Sequence, residues 1–306
     1  MIYTVTLNPA LDYFMNFEGV TLGKVNRTGK TAQFAGGKGI MESRMLKKLG
    51  VPSVAWGFAG GFSGREILRQ LTADGIDSDF VPIAGESRIN VKLKTAADET
   101  SLDAAGPHLT ADEIDLFLEK FEGLTPVDSV VLAGAIPPSL PENFYERLIA
   151  KIHAKGAQFA IDIDGQKLLS TLADRPLVVK PNREELEEIF GQKLSALTDI
   201  IPYGKKLLSA GAQHVMVSLA GDGALLFAGA KVYFAAPIKG TVKNSIGAGD
   251  STVAGFIAEF SRSHDPIKAF RQGVACGTAK VFSENMPTRE FLDTCYDAIK
   301  VIEIRR

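Results

Sequence analysis

The residue pattern of this chain predicts an α/β fold: a mostly parallel sheet with helices packed on it, and a small β-sheet set aside as a lid. Three observations carry that prediction. Short apolar, β-rich runs alternate with helical patterns nearly from end to end. One stretch, Ile89–Leu93, breaks the rhythm with strict alternation of apolar and polar residues. The chain has 306 residues, 45% of them hydrophobic, which is enough apolar material for a large core.

The elements follow in order. Ile2–Leu7 reads as the first strand, and Tyr13–Phe17 and Lys30–Phe34 as strands of the lid. Gly39–Leu49 puts Ile40, Ser43, Leu46 and Leu49 on one helical face before Gly50 and Pro52 stop it. Val54–Phe58 is a strand and Gly64–Ala73 a helix. Phe80–Ile83 precedes the alternating run, in which Ile89, Val91 and Leu93 face away from Asn90, Lys92 and Lys94. We therefore expect the lid to come from residues of about 12–34 and 80–106; an ordinary sheet edge is the competing reading. Thr110 and Glu113 have the spacing of a capping box. Ser129–Ala133 is a strand, and Pro141–Lys155 a helix opened by proline and closed by Gly156. Phe159–Ile163, Leu177–Val179 and Val215–Leu219 are further strands, and Val253–Phe260 is a helix. No repeat or low-complexity linker interrupts the series, so residues 1–306 read as one domain.

Composition narrows the function. Lys+Arg number 34 against 36 Asp+Glu, a net charge of −2, which removes the broad basic footprint of a nucleic-acid binder but leaves room for local anion sites. Two cysteines cannot build a disulfide framework or a thiolate metal site. The N-terminal residues lack the pattern of a secretory leader, and no apolar run reaches the roughly 18–20 residues of a membrane span. A reducing, cytoplasmic setting without membrane attachment is expected.

The 30 glycines cluster where chemistry is expected. Gly247-Ala248-Gly249 precedes Asp250 and an apolar helical run, so backbone N–H groups and the helix dipole make an anion hole. A carboxylate beside a bound phosphate repels it, unless Asp250 meets a hydroxyl and accepts its proton during phosphoryl transfer. Helix capping by Asp250 is the equally weighted alternative. Ala35-Gly36-Gly37-Lys38-Gly39 opens another helix, with backbone suited to close approach of a polyol and Lys38 to an anion; a plain glycine turn is the commoner outcome for such a run. Asp12 ends the first strand, where α/β folds place ligand-binding side chains, or else forms a turn. Asn182 and Glu185 have cap and N3 spacing, compatible both with capping and with a hydrated Mg²⁺. Neither a Walker A loop nor a dinucleotide fingerprint is present. His108, His153, His214 and His264 lack metal-ligand spacing, Cys276 and Trp56 read as packing residues, and Arg183–Glu188 as a solvated helix face.

With these pieces in order the chain resembles the PfkB branch of the ribokinase superfamily, and within it the 1-phosphofructokinase and tagatose-6-phosphate kinase group. The resemblance rests on NPALD at 8–12, AGGKGI at 35–40, Arg88, LAGAIPPSLP at 132–141, VVKPNREEL at 178–186, VSLAGDGAL at 217–225 and NSIGAGDSTVAGF at 244–256. It implies a ribokinase-like three-layer α/β/α sandwich with a β-lid, phosphorylation of a phosphosugar hydroxyl by ATP with Mg²⁺, and a homodimer formed through the lid. By resemblance Asp250 is the catalytic base and Gly247, Ala248 and Gly249 the anion hole. Asp12, Gly36, Gly37, Lys38 and Arg88 hold the phosphosugar, with Arg27 reinforcing its phosphate. Lys180, Asn182, Ser218, Gly221, Gly223, Ser245 and Gly277 line the nucleotide site, and Asn182 and Glu185 organise Mg²⁺ through water.

Departures from the family pattern bear on the sugar. Met41 stands where the family has an asparagine, Glu42 where it has an apolar residue, Ala135 where it commonly has serine, Asp103 at the end of an altered ETEIN segment, and Ala220 for a glycine. A kinase of fructose 6-phosphate, of a free sugar or nucleoside, and a non-catalytic sugar-phosphate-binding regulator are the alternatives; Lys38 with Arg88 disfavours the free sugar, and Asp250 disfavours the regulator.

Overall fold

The computed structural model describes residues 1–95, 98–163 and 165–304. Strand β1 (Ile2–Thr6) runs almost directly into the lid hairpin β2 (Ala10–Asn16) and β3 (Lys30–Gly36). Helix α1 (Lys38–Leu49), strand β4 (Ser53–Gly60), helix α2 (Gly61–Ala73) and strand β5 (Asp77–Ile83) follow; β6 (Arg88–Lys94) and β7 (Glu99–Leu102) then complete the lid. The body continues through α3 (Ala111–Glu119), β8 (Ser129–Ala133), α4 (Phe144–Ala154), β9 (Gln158–Asp162), α5 (Gln166–Thr171), α6 (Arg183–Phe190) and α7 (Leu197–Ser209). It ends with β10 (His214–Ser218), β11 (Ala224–Ala228), β12 (Lys231–Ala235), α8 (Ala248–Ser263), α9 (Pro266–Val281), α10 (Arg289–Ala298) and β13 (Val301–Glu303).

Five parallel strands lie in the order β5-β4-β1-β8-β9. Val179 bridges Ile161 of β9 to Val215 of β10, and so joins them to the antiparallel series β10-β11-β12-β13. Leu177–Val179 is thus a connecting bridge rather than a full strand. Successive side chains alternate between two cores, as a sheet covered on both faces requires. Val130, Leu132, Phe159, Ile161, Val215 and Val217 pack on the side of α3, α4 and α7. Val131, Ala160, Met216 and Leu226 pack on the side of α1, α8 and α9. Three layers result.

The lid is a separate sheet in the order β3-β2-β6-β7, with β2 parallel to β6 and the other pairs antiparallel. Leu11 and Ala35 root it in a small core with Ile40, Ile67 and Leu71. The sequence reading assigns Phe80–Ile83 to this lid; the structure instead makes it the end of β5, paired in parallel with β4 at the edge of the main sheet. A β-rich run states its local conformation but not its partner, and here the main sheet has the open edge. Helix α4 also begins later than expected, at Phe144, whose N–H donates to the Pro141 carbonyl across a turn. The Thr110–Glu113 capping box forms as expected.

Helices α8 and α9 come close because glycines remove the intervening side chains. A Cβ on Gly255 would stand 2.7 Å from Cys276 Sγ, and one on Gly273 2.7 Å from the Thr252 carbonyl oxygen. Gly277 faces Thr252 Oγ1 and the Ala248 carbonyl in the same way. This packing sets the first turn of α8 against the last turns of α9. Gly273→Val should therefore lower stability by about 1–3 kcal/mol through overpacking, read as the urea midpoint; an unchanged midpoint would contradict the close approach.

Candidate active site

A cleft of about 1090 Å³ opens at the carboxyl ends of β1 and β8, between the body and the lid. Thr6, Asn8, Gly37, Lys38, Met41, Gly134, Ala135, Asp250 and Lys280 line it from the body. Asp12, Phe14, Phe34, Arg88, Lys92 and Lys94 line it from the lid. Carboxyl ends of parallel strands are where open α/β sheets leave room for ligands, and helix N-termini gather at the same edge.

Two of those N-termini are built on glycine. Gly37, at φ 127°, starts α1, and a Cβ there would meet the Thr6 methyl at 2.5 Å. Gly39 sits against the Val5 carbonyl and Thr6 Oγ1 with no room for a side chain. Gly36 lies under the Asp12 carboxylate so closely that a Cβ would collide with it. Asp12 Oδ1 accepts from Asn90 Nδ2 at 2.9 Å, and burial pushes its pKa above the usual carboxylate value. Helix α8 starts at Gly247, in the left-handed region at φ 78°. Asp250 therefore stands at the third helical position rather than the cap. Ala248 N–H already donates to the Ser245 carbonyl at 3.2 Å, closing the turn, so the hole draws less on Ala248 than the sequence suggests.

Asp162, at the end of β9, gathers two lysines. Lys38 Nζ lies 3.6 Å and Lys180 Nζ 3.9 Å from Asp162 Oδ1. The buried Lys180 ammonium is also 3.0 Å from where a Gly249 Cβ would be, so it stands directly beside the glycine turn. Asn182 caps α6 in a reciprocal box: Glu185 N–H donates to Asn182 Oδ1 and Asn182 N–H to Glu185 Oε2, each at 2.8 Å. Burial raises the Glu185 pKa, with Asp162 adding to the rise and Lys180 opposing it.

The lid contributes basic side chains. Arg88 donates to the carbonyls of Asn8 at 3.2 Å and Ala104 at 3.1 Å, which leaves three of its five N–H donors. Lys92 pairs with Asp103 Oδ1 at 3.0 Å. Residues at even spacing share one face of a strand, so Arg88, Lys92 and Lys94 form a basic ridge over the cleft.

The chain that brings together a carboxylate at the start of a glycine-led helix and a basic lid has known relatives. The model of the pfkB family carbohydrate kinases matches residues 5–289. The chain belongs to that family. It is 45% identical over 304 residues to a 1-phosphofructokinase of Bacillus subtilis, covering 99% of this chain and 100% of the relative. It is 32% identical to a D-tagatose-1-phosphate kinase of Bacillus licheniformis, covering 99% and 100%. Among solved structures, phosphofructokinase-2 from Escherichia coli in complex with fructose-6-phosphate superposes with a TM-score of 0.89 at 25% identity, covering 97% and 98%. The fold is the ribokinase-like α/β fold with its separate small sheet. A PfkB kinase is a phosphotransferase with an alcohol acceptor.

Among the residues named from sequence, Asp12, Gly36, Gly37, Lys38, Arg88 and Asp250 line one cleft. Arg27 does not: it lies exposed in the β2–β3 loop. Ser218, the last residue of β10, pairs with Asn182 across a β-bridge, and Gly221 and Gly223 belong to the β10–β11 turn that follows it. In that turn Ala220 takes φ 49°, a conformation that favours the glycine it replaces. Gly277 serves helix packing, as described above. Met41 lies against Gly247, 2.7 Å from where its Cβ would be, and Ala135 lines the cleft; both substituted positions thus face the site. Sequence reasoning missed Asp162, Lys92, Lys94 and Lys280. Even spacing from Arg88 was the available signal for the two lid lysines.

Glu42 is fully buried (0% exposed) on α1, and neither carboxyl oxygen has a hydrogen-bond partner among the described residues. Burial, then Asp250 and Asp162, push its pKa well above 4.5, against Lys38 and Lys180. The folded state thus holds this proton more tightly than the unfolded chain, so stability is fully present below about pH 4.5 and lost as pH rises through the folded-state value. Glu42→Gln should show a flatter dependence of Tm on pH, gaining most on the native protein at alkaline pH. Equal slopes by differential scanning calorimetry would contradict this.

Proposed function

We propose that the chain transfers the γ-phosphoryl group of ATP to a free hydroxyl of a phosphorylated ketohexose, of the fructose 1-phosphate or tagatose phosphate type, giving a bisphosphate. One observation carries the reading: Asp250, at the start of α8, shares a cleft with Lys38 and with the lid's Arg88 and Lys92. A base thus lies between an amide-built anion hole and a basic ridge. Transfer between two anions needs this arrangement, because positioning and electrostatics supply most of the acceleration.

Asp12, with Asn90 behind it, orients the sugar hydroxyls, and Arg88, Lys38 and Lys92 meet the phosphate already present. Asp250 accepts the proton of the attacking hydroxyl as its oxygen bonds to the γ-phosphorus. The bond to the bridging oxygen breaks, ADP leaves, and the amides of the glycine turn face the charge that develops. The nucleotide lies towards Ser218, Gly221, Gly223 and Ser245, with Lys180 beside Gly249.

Mg²⁺ fits this end of the site through water. Asp162 Oδ2 is buried without a hydrogen-bond partner among the described residues, and Glu185 has one oxygen outside its cap. No group of three or more His, Cys, Asp or Glu among the described residues could hold a metal directly, whereas Mg²⁺ commonly keeps several waters and few protein ligands. Asn182 spends its oxygen on the cap and serves by fixing Glu185. The ion would neutralise phosphate charge.

Met41 and Ala135 present apolar surface where the family presents polar groups, so the acceptor's hydroxyl pattern is read mainly by Asp12. The chain works as one catalytic unit, with the lid supplied by strands β2, β3, β6 and β7. No helix among the described residues is long and apolar enough to cross a membrane, and the buried free cysteines suit a reducing cytoplasm. Val25 and Leu102 of the lid, and Leu22 at 93% exposure, support a homodimer through the lid. Light scattering tests it.

An ADP-release assay over fructose 1-phosphate, fructose 6-phosphate, tagatose 6-phosphate and free sugars should show turnover of the ketohexose phosphates; tight phosphosugar binding without turnover would favour a regulator instead. In that assay Asp250→Asn should lower kcat by about 10²–10⁴-fold, as expected for a lost general base, with nucleotide affinity retained. Arg88→Ala should raise the phosphosugar KM about tenfold or more while the ATP KM holds; equal effects on both substrates would remove its assigned role.

A further inference from the structure

Lys280 lies in the last turn of α9 and is 2% exposed, yet its ammonium has no hydrogen-bond partner among the described residues. It nevertheless lines the catalytic cleft, beside Asn244, Ile246 and Asp250. Its backbone is firmly held. The N–H groups of Lys243 and Asn244 donate to the Val281 carbonyl at 2.9 and 3.1 Å, tying the segment before the glycine turn to the residue after Lys280. Gly277, one turn earlier on α9, lies against Ala248 and Thr252 of α8. Lys280 shares that face of the helix, so the packing that joins α8 to α9 also delivers the ammonium to the cleft.

An ammonium offers three donors and no acceptor. Burying it without partners is costly, and such a group in a native structure calls for an explanation in what it does. Two further features indicate what that ligand is. Asp250 is the acidic group that offsets the cost of burying Lys280, which places the lysine at the reacting end of the cleft rather than under the lid. The glycine turn at the start of α8 presents amides to the same end. Amide donors and an ammonium converging on one region suit a group with several anionic oxygens.

Resting on the kinase reading above, we propose that Lys280 binds the phosphoryl group in transfer, meeting it from the α9 side opposite the amides of the Gly247–Gly249 turn. Lys280 is then a catalytic residue for the terminal phosphate of the nucleotide, distinct from the lysines and arginine that hold the sugar's own phosphate. It provides fixed positive charge while the phosphorus passes from the bridging oxygen to the sugar oxygen, and it takes no proton.

The test uses the full-length chain with Lys280→Met and Lys280→Arg. Calorimetric titration with ADP and with β,γ-imido-ATP separates the terminal phosphate from the rest of the nucleotide. For Lys280→Met we expect triphosphate-analogue affinity to fall about tenfold, ADP affinity to change less than about threefold, and kcat to fall about 10²–10³-fold at a nearly constant sugar-phosphate KM, as for loss of a preorganised charge. Lys280→Arg should restore part of the rate by keeping the charge. The ligand-free Tm of Lys280→Met should equal or exceed that of the native chain, because a buried ammonium without hydrogen-bond partners among the described residues has been replaced by an apolar chain. The proposal is overturned if kcat stays within about threefold, if both nucleotides weaken alike, or if Lys280→Met melts earlier or fails to fold, which would make the lysine structural. If the native chain turns over no sugar phosphate, the kinase reading fails instead, and the contrast between the two nucleotides still reports on Lys280.

Discussion

Close approach of backbone at a few glycines is the constraint on which the rest of the structure depends. Gly37 and Gly39 let the start of α1 touch the end of β1, Gly36 lets the Asp12 carboxylate lie on the chain, and Gly247 admits Met41 under the start of α8. Any side chain at these points would push the two helix N-termini apart. Their convergence puts the N-terminal dipoles and free amides of two helices at one sheet edge, where an anion is then stabilised before any charged side chain is counted.

Charge is added to that frame sparingly and in alternation. Asp162 separates Lys38 from Lys180, Asp250 stands near Lys280, and Glu42 sits beneath them with no hydrogen-bond partner for its carboxylate among the described residues. Such an arrangement is poor for the stability of the empty protein, since buried polar groups without partners cost free energy. It is good for receiving a polyanion, because the donors are already in place. The net charge of −2 conceals this completely: the local fields matter, and they cancel in the sum.

The parts of the site that sequence made legible are those whose chemistry is local. Gly247–Asp250 and the Asn182–Glu185 cap declare themselves because a helix start needs particular residues at fixed spacing, wherever the helix goes. The main sheet is legible for a similar reason, since doubly covered strands read as apolar runs. What escaped depends on tertiary partners. Phe80–Ile83 has the composition of a strand but not the address of its sheet. Lys92 and Lys94 alternate with apolar residues just as solvent-facing lysines do, and only the lid's placement over the cleft turns them inward. Asp162 gains meaning from lysines 124 and 18 residues away along the chain, and Lys280 is hidden in a helix whose small residues read as packing.

The lid is fastened in a way that governs how it can move. Only Leu7, Asn8 and Pro9 separate β1 from β2, and only Gly37 separates β3 from α1, so both legs of its first hairpin are clamped to the body at the cleft itself. A flap on one long hinge could swing clear and leave the floor undisturbed. This one has two short stays, and a displacement of the sheet must be shared as torsion through the strand and helix that form the floor. Displacement of the lid sheet and the alignment of α1 are therefore mechanically geared, because the same short connections carry both.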